Sequence, residues 1–216
     1  GAAPFELRVH RRYNPEGLSA YNVVPGLMGV ILTMTLVMMT SMAMTRERER
    51  GTLENLLATP VRPLEMMLGK ILPYVLIGYV QVLIVFAAAM GLFEVPMEGS
   101  HVLLTAAVLL FITATLTVGF TFSTIARSQM QSMQMTMFYF LPNILLSGFM
   151  FPFRGMPQWA QTIGEVLPLT HFLRIVRAVM LKGAGPADIA AEAAAIGAFT
   201  LVAAGVALLR YRQTLD

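Results

Sequence analysis

Arg46-Glu47-Arg48-Glu49-Arg50-Gly51-Thr52-Leu53-Glu54-Asn55-Leu56-Leu57-Ala58-Thr59-Pro60 separates two long apolar runs, 23–45 and 71–93. Its first five residues alternate in charge. A charged side chain at the centre of a bilayer costs roughly 2.5–3.5 kcal/mol on the insertion scale, so five in a row must lie in water or among headgroups. The runs on either side are each long enough to cross roughly 30 Å of hydrocarbon, which takes about 20 residues. The stretch therefore reads as an elbow between two membrane spans, with a short amphipathic helix after the charges and a Pro60-x-x-Pro63 break at its end.

The composition agrees. Of 216 residues, 56% are apolar and 12% are charged, about half the charge content usual in soluble domains. We expect an all-α polytopic membrane protein with five spans, at about 23–45, 71–93, 102–126, 133–151 and 189–209. Residues 21–216 form the transmembrane domain in this reading. Residues 1–20 end an extracytoplasmic segment, in which Phe5, Leu7 and Val9 alternate with Glu6, Arg8 and His10 as in a short strand. The fifth span opens at Asp188 and Glu192, expected at headgroup level.

Lys and Arg set the orientation. With alternating spans, Arg46, Arg48, Arg50, Arg62, Lys70, Arg127, Arg210 and Arg212 fall on one side; the other has Arg8, Arg11 and Arg12 in the N-terminal segment and Arg154, Arg174, Arg177 and Lys182 in one long loop, while its short loop 94–101 carries two Glu and no Lys or Arg. The first side is taken as cytoplasmic, with the C-terminus there and the N-terminus outside. An outside N-terminus and an unpaired strand lead us to expect a further span and outer domain upstream of Gly1.

Residues 151–185 are too short and too charged to span. After Pro168, the residues Leu169, Phe172 or Leu173, Val176 and Met180 recur at helical spacing, with Arg174, Arg177 and Lys182 elsewhere on the helix. This predicts interfacial or re-entrant helices at the outer surface, closed by Gly183-Ala184-Gly185-Pro186. Trp159 is placed as an interfacial anchor. Glu165 and His171 lie in the same segment, where imidazole could respond to pH or simply satisfy local hydrogen bonds.

The chain lacks the parts of several chemistries. It has no cysteine, and its three histidines are far apart, so neither disulfides nor a metal site is expected. A phosphate-binding loop needs G-x-x-x-x-G-K-[ST]; the single Gly-Lys pair, Gly69-Lys70, is followed by Ile71 and has Leu64 at the first glycine position. No paired carboxylates or Ser-His-Asp set suggests a hydrolase, and no aromatic-plus-basic patch suggests nucleic acid.

Pro25-Gly26-Leu27-Met28-Gly29, the 46–60 elbow, Phe151-Pro152 with Met156-Pro157-x-Trp159, and Pro168-Leu169-Thr170-His171-Phe172 occur in that order. The sequence resembles the membrane subunit of type-2 ATP-binding-cassette (ABC) exporters, nearest the bacterial multidrug-export branch, over about 13–212. The resemblance implies a subunit of six spans in the bacterial inner membrane. It implies a second, identical or different, membrane subunit and a separate ATPase chain that holds ATP and Mg, with no cofactor on this chain. A hydrophobic or amphipathic compound would be exported.

Under that resemblance Arg48, Glu49, Arg50, Gly51, Thr52, Leu53, Glu54, Leu56 and Leu57 form a coupling helix for the ATPase. Thr52 would cap it, and Leu53, Leu56 and Leu57 would be its apolar face. Phe151, Pro152, Met156, Pro157, Trp159, Pro168, Thr170 and His171 would form an outer gate. Met38, Met42 and Asn143 are candidates for the pathway, although Met also packs adaptably anywhere and a mid-span Asn also joins helices. The alternatives are an ion- or proton-coupled transporter, a membrane-embedded enzyme, and a membrane anchor or assembly factor. Coupled transporters place ionisable groups near mid-membrane; here every Asp, Glu, Lys and Arg falls at or beyond an expected span end.

Overall fold

The computed structural model describes residues 19–50 and 63–213. The elements, in order, are α1 (Ser19–Glu49), α2 (Pro63–Gly91), α3 (His101–Ile125), α4 (Gln129–Leu146), a 3₁₀ turn (Phe153–Gly155), α5 (Gln158–Gly164), α6 (Pro168–Lys182) and α7 (Pro186–Gln213). No strand occurs among the described residues. The expected strand near residues 5–10, and the elbow helix within 51–62, lie outside them.

Among the described residues, four helical segments are long and apolar enough to cross a bilayer: Val23–Glu47, Ile71–Gly91, His101–Ile125 and Pro186–Arg210. They match four of the five expected spans to within a few residues. The expected span 133–151 is corrected. Its helix, α4, begins earlier, at Gln129, and stops at Leu146. Gln129, Gln131 and Gln134 occupy its first turns and dilute its hydropathy, and Ser128 caps it by accepting a bond from the Gln131 N–H. At about 1.5 Å per residue α4 is about 27 Å long, slightly short of the hydrocarbon thickness.

Helix α3 is the centre of the bundle, packing on α1, α2, α4, α6 and α7. Leu104, Val108, Phe111, Ile112 and Leu116 are buried along it. Helix α6 lies against α3 and α1, with Leu169, Phe172, Leu173, Ile175, Val176, Val179 and Met180 buried. The rings of Phe111 and Phe172 stack with centroids 4.1 Å apart. The outer faces of α2 and α7 are the reverse: Leu72, Leu76, Leu83, Ile84, Leu201, Val202 and Leu209 are exposed. Long rows of exposed large apolar side chains are uncommon on soluble monomers and suit a lipid environment.

Within lipid, hydroxyls must find partners inside the protein. Thr33, Thr45, Thr113, Thr117, Thr136 and Thr200 each donate to the carbonyl four residues back, at 2.7–3.0 Å. This lets threonine sit in a span without an orphan donor. Glycine permits the closest helix approach: a Cβ on Gly119 of α3 would lie 2.8 Å from the Val37 carbonyl oxygen and 2.9 Å from Thr40 Cβ on α1. The backbone of α1 cannot yield as a flexible side chain would.

Gly119→Leu should therefore destabilise the bundle by about 1–3 kcal/mol or more, the usual cost of overpacking. Thermal unfolding of the purified protein should show a lower midpoint, while Gly197→Leu, at a position with open space around it, should leave the midpoint near wild type. Equal midpoints for Gly119→Leu and wild type would contradict the close α1–α3 contact.

Candidate functional site

The charged side chains collect at the two ends of the bundle. At one end, α1 runs into the elbow beside the start of α4. Arg46 Nε donates to Gln129 Oε1 at 3.1 Å. The Gln129 backbone N–H donates to Glu49 Oε1 at 2.9 Å, and its side-chain amide donates to Glu49 Oε2. These two bonds, side-chain first, hold the Glu49 carboxyl below its usual range. One turn inward, Ser132 meets the Ser41 hydroxyl and lies 3.2 Å from Thr45 Oγ1. Gln129 is thus a clamp between the elbow's first charges and α4. Of the expected coupling residues, Glu49 and Arg50 are exposed at the end of α1; the Arg48 side chain and Gly51, Thr52, Leu53, Glu54, Leu56 and Leu57 lie outside the described residues.

At the opposite end, α5 and α6 form a hairpin in which α6 packs against α7 and the short α5 against α4. Pro168 opens α6 at a first-turn position, where its missing N–H is no loss. Gly183 ends it with φ 62°, the left-handed conformation that favours glycine. Thr170 Oγ1 donates to the Gly164 carbonyl at 2.7 Å, tying the hairpin closed. His171 Nδ1 contacts Glu192 Oε2 of α7, and Nε2 lies 2.8 Å from the Glu165 carbonyl oxygen. Arg174 Nη1 donates to Glu165 Oε2 at 2.9 Å and reaches Glu192 Oε1 at 3.4 Å. Its guanidinium also lies 4.7 Å from the centre of the Phe153 ring, within cation–π range.

The bonds from Arg174 hold the Glu165 carboxyl below the usual carboxylate range, and Glu165 in turn raises Arg174. Arg177 is shifted down by burial, and its Nη1 donates to the Gly148 carbonyl at 3.2 Å.

The expected gate residues divide. Pro168, Thr170 and His171 are buried in the hairpin; Phe151, Pro152, Pro157 and Trp159 are exposed, and Met156 is half-buried. Met38 and Met42 are half-buried on α1. Asn143 is fully buried. Its Nδ2 donates to the Tyr139 carbonyl at 2.8 Å, and its Oδ1 has no hydrogen-bond partner. These three do not join the two charged ends. Sequence reading missed Gln129 and Ser132 as clamp residues and the pairing of Glu192 with His171. A charge isolated in the Ala-rich start of α7 was the available signal for Glu192.

Residues 7–181 match the ABC-2 type transporter family. The chain belongs to that family. Its relatives include two Escherichia coli K12 proteins. The first, "Probable multidrug ABC transporter permease YbhS", is 31% identical across 97% of this chain and 56% of its own length. The second, "Inner membrane transport permease YhhJ", is 35% identical over the same shares. A third, "Probable multidrug ABC transporter permease YbhR" from the same organism, is 32% identical over 83% of this chain and 49% of its own length. The chain thus spans about half the length of these ABC-2 relatives, and matches them as a multi-pass membrane protein.

The Glu165–Arg174 pair yields a pH prediction for this ABC-2 chain. A carboxyl with a lowered folded pKa adds stability above its unfolded value, and that stability is lost as pH falls through the folded pKa. Both side chains are partly exposed, at 46% and 34%, so the contribution is at most about 1 kcal/mol. Glu165→Gln should slightly lower thermal stability at neutral pH and reduce the further loss seen below about pH 4. A wild-type acid profile in the variant would show that this pair contributes nothing.

Proposed function

We propose that the chain is the permease portion of an ATP-driven exporter that moves a hydrophobic or amphipathic compound out of a bacterial cell. Membership of the ABC-2 family carries this reading, and the names of the E. coli permeases give it direction. The chain has no phosphate-binding loop of its own. ATP and magnesium would be bound and used on a partner ATPase, and a second membrane subunit would complete the pathway. The Lys and Arg distribution supports a cytoplasmic elbow and C-terminus, which puts the α5–α6 hairpin at the outer surface of the inner membrane.

In this mechanism the ATPase receives the elbow. Closure of the ATPases around nucleotide pushes residues 52–58, and the Arg46–Gln129–Glu49 clamp passes that displacement to α4 as well as α1. The bundle tilts, and access to the pathway changes from one side to the other. The hairpin, with Met156 and Trp159 near its start, serves as the exit gate.

Two experiments test this. Single cysteines at Asn55 and Gln129 should be labelled only from the cytoplasmic side, and one at Gly99 only from outside; labelling of Asn55 from outside would reverse the orientation. Leu57→Asp should leave insertion intact, because the charged elbow that carries it reads from the sequence as lying outside the hydrocarbon. It should weaken ATPase co-purification and transport at least tenfold, since a docked Leu contributes roughly 1.5–3 kcal/mol. Normal coupling at equal expression would remove the elbow's assigned role.

A further inference from the structure

His171 is surrounded by acceptors. Its Nδ1 meets a Glu192 carboxylate oxygen, and its Nε2 lies 2.8 Å from the carbonyl oxygen of Glu165. A neutral imidazole has one N–H and one lone pair, so it can serve only one of these acceptors; both nitrogens donate only in the imidazolium. The equivalent arrangement places the extra proton on Glu192, which then donates to Nδ1 while Nε2–H serves the carbonyl. In either form the pair contains one proton more than neutral histidine beside ionised glutamate.

The surroundings suit that proton. With His171 charged, two cations, His171 and Arg174, face two carboxylates, Glu165 and Glu192. The other helices packed on α6 bring little charge. No Asp, Glu, Lys or Arg occurs in α1 from Ser19 to Thr45, in α3, or in α4. His101, at the start of α3, lies edge-on to Phe86. On α6 itself Arg177 bonds the Gly148 carbonyl, and on α7 Asp188 accepts from the Gly185 N–H. His171 is only 10% exposed in its side chain, whereas Glu192 is 27% exposed, which gives the proton a route to water.

We propose that His171 and Glu192 form a binding site for one exchangeable proton, and that this proton fastens the α5–α6 hairpin to α7. Proton release to the adjoining water leaves His171 with one N–H between two acceptors. One of the two contacts must then face lone pair to lone pair. Arg174 alone is left to bridge Glu165 and Glu192, and the hairpin gives up one His171 contact, either the one to Glu192 of α7 or the one to the Glu165 carbonyl at the end of α5. The hairpin is held at acidic pH and loosened at alkaline pH. This is independent of the export reading, since it concerns contacts within the chain.

The protein has no native cysteine, so spin labels can be placed at Thr162 of α5 and Ala194 of α7, both exposed, without background. Distances are measured in lipid nanodiscs at about pH 5.5 and about pH 8.5, spanning the range where imidazole changes charge. Wild type should give one narrow distribution at the lower pH and a longer, broader one at the higher. The ratio of the two populations should change by up to about tenfold per pH unit, the linkage of one proton. His171→Gln should give the broad distribution at both pH values. Nitrogen NMR of histidine-labelled wild type supplies a readout that needs no variant at His171, with three histidines to assign. It should show the proton shared with His171 at the lower pH and lost at the higher. Superimposable wild-type distances, or a His171 signal of neutral imidazole beside ionised Glu192 at both pH values, would overturn the proposal.

Discussion

Polar groups inside a membrane protein must be satisfied by the protein itself, and the packing of this bundle depends on how that is done. Lipid offers neither water to bond a stray hydroxyl nor a strong hydrophobic drive to push helices together. Thr33 and Thr45 of α1, Thr113 and Thr117 of α3, Thr136 of α4 and Thr200 of α7 turn their hydroxyls back onto their own helices, while the Thr40 hydroxyl of α1 is buried without a partner. With those donors occupied, helices can meet through small residues and dispersion contacts. Gly119 brings α3 onto the backbone of α1, and hydroxyls at Ser41, Thr45 and Ser132 join α1 to α4.

Helix α1 connects the two ends. Its final turn carries Arg46 and Glu49 into the Gln129 clamp. Toward its start, Gly26 and Gly29 lie beneath Phe149, Leu169 and Phe172 so closely that an added Cβ would come within 2.7 Å of Phe149 and Leu169. A movement applied at the elbow therefore meets a continuous line of tight contacts reaching α6. Helix α6 is short, yet most of its apolar side is buried, Leu169, Phe172, Leu173, Ile175, Val176, Val179 and Met180 included, while Arg174 stays at its rim. This places charged groups where water is within reach and leaves the interior of the bundle without an Asp, Glu, Lys or Arg in α3 or α4.

Much of the fold was legible because span signals are local. Four apolar runs are long enough to identify alone, and the 3–4 spacing after Pro168 located α6 together with its glycine stop at Gly183. Helix α4 was misplaced because its start is marked by Ser128 and three glutamines rather than by hydrophobicity. The candidate site was less legible. His171 and Glu192 are 21 residues apart, and Glu49 and Gln129 are 80 apart; no periodicity in the sequence relates such pairs. His171 itself was identified, but its burial between two acceptors depends on the hairpin turn tied by Thr170 and Gly164. The apolar ridge Leu53, Leu56 and Leu57 is still read from sequence pattern and family resemblance.

ATP-driven export through a coupled ATPase is tested most directly by transport into inverted membrane vesicles. The vesicles would contain this chain and the proposed partner ATPase, and uptake of a fluorescent amphipathic compound would be followed. The account predicts uptake that requires hydrolysable ATP and persists after the proton gradient has been dissipated. Uptake driven by an imposed proton gradient without ATP, and lost when that gradient collapses, would contradict it.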